Sequence, residues 1–419
     1  MKKQVIMSLF NQACTSAFQF ALSLYMIKFW PTEMFGIFAI IFAVGLILVG
    51  VQNAMINTPY SILRPVHQKT GKWLKIESSL AVFNLVLVVA TVITSLVFVY
   101  CFTNFEYFLV ILVGVYFSSL LIKEFYKNIA IVKGMMQLVA IVELCGIAGV
   151  LLCTFVYFYT IHDAFLSLGD VLLIIAVSNL LVALVIKLKV QLNVSYSAIY
   201  RSIDTYSAFI WRDSRWSFFG MITTELQNRG YIFIVSVLLG TAEVGLIQAG
   251  RVFFGPLNLL TGAWGRIARP KLAALYQVNE TREMQKIVWF SLLGFVAFNL
   301  FFGLLLWLMW PYLHDKMFGQ DYGDIGYVVA LWAVATLILH VRSTFSIAAQ
   351  AMFEFKSLAF STLIGAFAAL TITFILALQG LENSIVLAIV IGELLTTIYI
   401  VKYTLKYSKQ GSAVHESPS

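Results

Sequence analysis

The sequence predicts an all-α polytopic membrane protein. It has about twelve spanning helices, in two six-helix lobes related by a pseudo-two-fold axis along the membrane normal. Three observations carry this. Apolar residues make up 61% of the 419, and the mean hydropathy is +0.90. Charged residues make up 11%, against roughly 25% in a soluble domain, too few to cover a soluble surface of this size. The apolar residues also gather into runs of about 20, the length that carries a helix across hydrocarbon.

Taken in order, the apolar runs place helices near 5–29, 35–57, 79–102, 105–124, 137–160 and 170–187. A second set follows near 215–239, 243–263, 287–310, 327–349, 358–379 and 384–403. The first run follows Met1-Lys2-Lys3 and contains Asn11, Gln12 and Gln19 with no small-residue cleavage site. It is read as an uncleaved first helix. The implied organisation is an N-terminal lobe 1–189, a cytoplasmic amphipathic linker 190–214, a C-terminal lobe 215–403 and a cytoplasmic tail 404–419. The linker carries Tyr196, Tyr200, Tyr206 and Trp211 among charges, as a segment lying on the membrane surface does.

Charge sorts the loops by side. One set of loops, with both termini, holds 23 of the 28 Lys and Arg; the opposite loops hold only Lys28 and Lys316. The positive-inside rule places both termini in the cytoplasm, and an even number of helices requires the same. The net charge of +8 therefore reflects topology; no basic stripe interleaved with aromatics points to nucleic acid. The cysteines (Cys14, Cys101, Cys145, Cys153) lack metal-type spacing and read as packing residues.

The halves repeat weakly. A shift of 209 residues lays the first helix on the seventh, with Ser16 on Glu225 and Gln19 on Asn228. Phe35-Gly36 then matches Val244-Gly245, and Pro59 follows the first pair much as Pro270 follows the second. Six helices per half make this a parallel repeat.

Charges within spans cost about 2.5–3.5 kcal/mol at the bilayer centre even on the lenient insertion scale, so each is a candidate functional group. Glu225 and Arg229 lie four apart on the seventh helix and can neutralise one another. Arg251 on the eighth and Arg342 on the tenth have no acid three or four residues away. Each needs a partner from another helix or an anionic ligand; Arg342 has the further option of reaching the cytoplasmic interface. Glu143, Glu393 and His340 also sit in spans. The two acids stand alone in their helices, as a proton-coupling carboxyl would, although hydrogen bonding between helices accounts for them equally well. Gln12, Thr15, Ser16, Gln19 and Ser23 form one continuous polar stripe on the first helix. They read as the wall of a watery cavity, with Gln52, Asn53 and Asn57 extending it. No GxxxxGK[ST], HExxH or GxSxG motif occurs. ATP hydrolysis by this chain, a metal and a cofactor are not expected.

Four segments resemble a known family. Gly240-Thr241-Ala242-Glu243-Val244-Gly245-Leu246-Ile247-Gln248-Ala249 is similar to the helix-turn-helix joining helices seven and eight of polysaccharide flippases. Arg269-Pro270-Lys271-Leu272-Ala273-Ala274-Leu275-Tyr276 resembles the cytoplasmic turn that follows. The hairpin from Pro31 to Pro59 resembles their opening helices. Phe318-Gly319-Gln320-Asp321-Tyr322 resembles the loop before helix ten. The resemblance is to Wzx-type O-antigen and capsular polysaccharide flippases of the multidrug/oligosaccharidyl-lipid/polysaccharide (MOP) exporter superfamily. It implies a bacterial inner-membrane transporter, not an enzyme. Such a protein moves an undecaprenyl-diphosphate-linked oligosaccharide between leaflets through a cavity with cationic residues on helices seven, eight and ten, where Arg229, Arg251 and Arg342 lie. It also implies the lipid bilayer and other polysaccharide-assembly membrane proteins as partners; a monomer is the default expectation. A drug or metabolite exporter of the same superfamily and a membrane-embedded glycan polymerase or transferase are the alternatives.

Overall fold

In a computed structural model, the described residues are 2–61, 73–102, 107–161, 165–190, 215–318, 320–352 and 354–413. They form thirteen α-helices and no strand. The first six are α1 (Lys2–Phe29), α2 (Thr32–Gln52), α3 (Trp73–Phe102), α4 (Tyr107–Val132), α5 (Met136–Ile161) and α6 (Leu168–Val190). Then come α7 (Arg215–Leu238), α8 (Thr241–Val252), α9 (Gly255–Gln277), α10 (Thr281–Met317), α11 (Gly326–Ala351), α12 (Phe355–Leu378) and α13 (Ile385–Ala413). Among the described residues, eight helical stretches are long and apolar enough to cross a membrane. This is the all-α polytopic architecture the composition requires. The surface-lying linker expected over 190–214 falls, from 191 onward, outside the described residues.

Two local differences from the sequence expectation have simple causes. The helix expected over 243–263 is two helices. α8 ends at Val252 and α9 begins at Gly255, with Pro256 in its first turn. Proline lacks the N–H that would continue an earlier helix but suits the first turn of a new one. The stretch expected as a cytoplasmic loop beyond 263 is instead helical through Pro270 to Gln277. α2 likewise passes into a π-helical turn over Asn53–Asn57, where the Asn57 amide donates to Asn53 Oδ1 at 2.7 Å.

The described chain divides into two compact units. The first comprises Met1–Phe18 with Ile41–Ile222, and the second Gln19–Ile40 with Thr223–Ser419. In the first unit, Gln52 is fully buried, and its amide donates at 2.7 Å both to Asn84 Oδ1 and to the Leu121 carbonyl. That corrects its expected place on a cavity wall: it ties α2 to α3 and α4. Nearby, Glu77 is buried, accepts from Tyr60 Oη at 2.7 Å and pairs with Lys133 at 3.4 Å. In the second unit a buried Asn again ties helices together, since Asn299 of α10 bonds His340 of α11 at 3.1 Å.

The second unit also contains a close helix crossing that exhibits the internal repeat. A β-carbon on Gly36 would overlap the carbonyl oxygen of Thr241, and one on Gly245 would overlap that of Thr32. Thr32 and Thr241, like Gly36 and Gly245, are 209 residues apart. The start of α2 and the start of α8 therefore meet about a local two-fold, each glycine against the other's threonine carbonyl. Only hydrogen fits there, and each glycine Cα–H points at an oxygen, a contact of about 0.5–1 kcal/mol in itself.

This crossing makes a testable statement. Gly36→Ala or Gly245→Ala forces backbone apart and is expected to cost about 1–3 kcal/mol, read as a lowered unfolding midpoint in detergent. Gly294→Ala on α10, where a β-carbon meets nothing within 4 Å, serves as the control. It should be neutral or gain about 0.5–1 kcal/mol. Equal midpoints for all three variants would contradict the crossing.

Candidate functional site

Several polar residues of the second unit converge where α7, α8, α9, α11 and α13 face a common small cavity. α7 contributes Gln227 and Asn228, α8 contributes Arg251, and α9 contributes Asn258. α11 contributes Trp332 and Thr336, and α13 contributes Glu393. The cavity measures about 30 Å3, room for one or two waters.

Close packing of α12 on α13 sets this geometry. Ser361, Gly365, Ala369, Thr373 and Ala377 recur every four residues on α12 and are all buried. They meet Gly392 and Thr396 of α13: a β-carbon on Gly392 would lie 2.7 Å from that of Ala369 and 2.7 Å from the Gly365 carbonyl. Small residues at such spacing let membrane helices approach closely. On α13, Glu393 and Thr396 are thereby brought to Gln227 of α7.

Gln227 is the centre of a buried network. Its amide nitrogen donates to Thr396 Oγ1 at 2.9 Å and to Glu393 Oε1 at 3.2 Å, while its oxygen accepts from Arg342 Nη1 at 3.2 Å. Arg342 Nε stands 2.8 Å from Glu393 Oε2, with side-chain exposures of 9% and 5%. Gln227 hydrogen-bonds one atom of each group, while Nε and Oε2 face each other at ion-pair distance without hydrogen-bond geometry. The added hydrogen bonds from Gln227 help attraction offset the desolvation of the pair.

Two residues for which the sequence left alternatives open find partners here. Arg342 does not reach for the interface; its charge is answered by Glu393 from another helix. Glu393, the one acid of its helix, is held by partners on other helices, the second of the two accounts the sequence offered. Glu143, in the first unit, is not alone either: it bonds Asn11 and pairs with Lys127 at 3.2 Å. Glu225 and Arg229 pair with one another, as their spacing on one helix face requires.

Arg251 differs from these. Among the described residues no carboxylate lies within 4 Å of it. Its Nη1 donates to the Asn228 carbonyl at 3.2 Å and to Tyr231 Oη at 3.4 Å, and its guanidinium lies over the Trp332 ring at 5.1 Å. Gln248 holds the same tyrosine oxygen at 2.7 Å, and the Trp332 indole N–H is fixed on the Ile247 carbonyl at 2.9 Å. Arg251 also occupies the last turn of α8, where the helix dipole favours a cation. Three arginines and two glutamates leave one positive charge in the cluster, at Arg251.

The remaining sequence candidates lie elsewhere. His340 is 1% exposed, stacked on Phe295 and bonded to Asn299, and does not line the cavity. On α1, Gln12 and Ser16 are half-buried in the first unit, while Gln19 is exposed in the second. Thr15 and Ser23 donate back to the Asn11 and Gln19 carbonyls of their own helix. Sequence reasoning missed Gln227, Asn258, Trp332, Thr336 and Thr396. Two signals pointed to them: Thr223, Gln227 and Tyr231 recur at helical spacing, and Gly255-Pro256 interrupts an apolar run, the mark of a broken helix at a site. No group of three metal-ligating side chains occurs among the described residues.

No protein-family model matches the sequence, and no curated protein sequence matches it. Solved structures do match in fold. A multidrug resistance MATE family transporter of the MOP superfamily, in its inward-facing conformation, superposes with a TM-score of 0.72 at 13% identity, covering 95% of both chains. The lipid II flippase MurJ, inward closed, gives 0.68 at 14% identity over 99% of this chain and 91% of that one. A MOP superfamily transporter from Pyrococcus furiosus, described as having a binding pocket of reverse polarity that suggests a different function, gives 0.66 at 12% over 98% and 96%. The chain therefore has the fold of these MOP superfamily transporters along nearly its whole length.

The buried pair gives a stability test. Arg342→Leu leaves Glu393 charged and unanswered, an expected cost of about 3–5 kcal/mol. Replacing both by leucine should recover most of that loss in detergent unfolding. A double variant as unstable as the single one would contradict the pairing.

Proposed function

We propose that this chain is a transporter, not an enzyme, and that it flips an undecaprenyl-diphosphate-linked oligosaccharide by alternating access. The substrate is an O-antigen or capsular repeat unit, carried from the cytoplasmic to the periplasmic leaflet. The observation that carries the reading is Arg251: a cation at the end of the short helix α8, oriented by Tyr231 and Trp332, with no carboxylate within 4 Å among the described residues. A desolvated guanidinium is suited to a diphosphate, which it can engage through two parallel hydrogen bonds. The fold likeness to a lipid II flippase supports the same substrate class.

In this reading Arg251 attracts the diphosphate, and Asn228, which lines the same cavity, hydrogen-bonds sugar hydroxyls; Gln12, Ser16 and Gln19 of α1 are proposed separately as sugar-contacting groups. Arg229 and Arg342, expected from the sequence to bind substrate, are already neutralised by Glu225 and Glu393 and leave the net positive charge to Arg251. The roles of Glu225, Glu143, Glu393 and His340 in ion coupling become weaker, because each already has a partner. The polyprenyl tail stays in the bilayer throughout. An interior-negative potential assists two outward-moving negative charges by roughly 4–5 kcal/mol per 100 mV, so flipping need not consume ATP. The protein sits in a bacterial inner membrane as a monomer with both termini cytoplasmic, as its loop charges favour.

A second reading, export of drugs or metabolites, is favoured by the likeness to multidrug MATE transporters. The net positive cluster is poorly matched to cationic drugs. Efflux of cationic dyes by cells expressing the chain separates the two.

The direct test is surface polysaccharide in a strain lacking its own O-unit flippase but making a compatible unit. The chain is expected to restore it. Arg251→Ala should reduce it at least tenfold at equal membrane abundance, with Arg251→Lys retaining part. Full restoration by Arg251→Ala would remove that residue from the mechanism.

A further inference from the structure

A second cavity lies far from the arginine cluster in character, between α10 and α11, and nothing in the transport reading uses it. It measures about 610 Å3, within the ~300–1,000 Å3 typical of ligand sites. Its floor exists because small residues face each other: Gly303 on α10 against Ala330 and Ala333 on α11. Its walls are large and open to the surroundings; Leu300 is 61% exposed, Leu304 55% and Trp307 71%. From Asn299 to Trp310 it runs eleven residues along α10, about 16 Å at the helical rise. An elongated apolar groove on the outside of spanning helices, of that length, fits an extended hydrocarbon chain.

The two ends of the groove differ. At one end lies Asn299, which bonds the buried His340. The other opens among Trp310, Tyr327 and Asp324. Asp324 is exposed, and its Oδ1 accepts from the Gly326 N–H at 2.9 Å; its second oxygen has no partner among the described residues. Among the described residues it is the only charged side chain lining the groove. The end of α10 and the adjoining loop add Asp315 and Asp321 against Lys316 and His314, so with Asp324 the mouth stays net negative even when the imidazole is charged, in a protein that is otherwise strongly positive. A carboxylate beside aromatic faces is a receptor for an organic ammonium group. It repels an anionic headgroup.

We propose that the α10–α11 groove is a binding site for an amine-bearing glycerophospholipid of the phosphatidylethanolamine type. One acyl chain lies over Gly303, Ala330 and Ala333, and the ammonium pairs with Asp324. The aromatic pair Trp310 and Tyr327 marks the depth of the headgroup, as such residues do at membrane interfaces.

The experiment reconstitutes the full chain in bilayers of equal phosphatidylethanolamine and phosphatidylglycerol, then extracts it gently and counts retained lipids by native mass spectrometry. Retention of phosphatidylethanolamine over phosphatidylglycerol is expected. Asp324→Asn, an exposed substitution that leaves folding intact, should reduce that preference about fivefold, the equivalent of ~1 kcal/mol. Ala333→Trp should abolish retention by filling the floor. Equal retention of both lipids, a preference untouched by Asp324→Asn, or recovery of an isoprenoid lipid or a second copy of the chain in place of the phospholipid would each overturn the proposal.

Discussion

The buried ion pair between Arg342 and Glu393 is the constraint on which the second unit depends. Within hydrocarbon a charge persists only where another group answers it, and here the answer comes from three helices at once. Arg342 brings α11, Glu393 brings α13, and Gln227 bridges them from α7. The pair can form only because Gly365 and Gly392 let α12 and α13 close together, which presents Glu393 and Thr396 toward α7. Backbone packing by small residues thus sets the position of charged ones, and the charged ones in turn fix the wall beside Arg251.

That arrangement gives Arg251 its meaning. Were Glu393 unpaired it would be the natural counter-ion for the nearest free guanidinium. With Arg342 already holding it, Arg251 is left to a tyrosine hydroxyl, a backbone carbonyl and an indole face. None of these carries the opposite charge. The break between α8 and α9 adds to this, because it ends α8 one residue after Arg251 and opens the turn at Phe253 and Phe254 on which the cavity is built. A single positive charge left over in the membrane is the feature an anionic substrate would complete.

Much of this was legible in the sequence, for reasons that differ by level. Run length and charge placement determine spanning helices directly, since hydrocarbon thickness and the cost of burying charge leave few alternatives. The 209-residue repeat showed itself in Gly36 and Gly245, positions where no side chain fits. The Glu225–Arg229 pair was readable because both lie on one helix face. Partners from different helices were not readable: nothing local joins Arg342 to Glu393, 51 residues later, or Glu143 to Asn11 and Lys127. For that reason the sequence left proton coupling and hydrogen bonding between helices as equal accounts of the two acids, and the structure gives both acids partners on other helices. The split of the eighth helix had a signal, Gly255-Pro256, that hydropathy alone overrode.

The most direct measurement of the central claim uses proteoliposomes holding the purified chain and a cognate polyprenyl-diphosphate oligosaccharide in the inner leaflet. An external lectin reports the sugar as it reaches the outer leaflet, with and without an interior-negative potential. The account predicts exposure well above that of protein-free vesicles, faster under the potential, and lost on Arg251→Ala. Exposure no faster than in protein-free vesicles, from protein that still extrudes a cationic dye, would contradict it and establish the exporter reading instead.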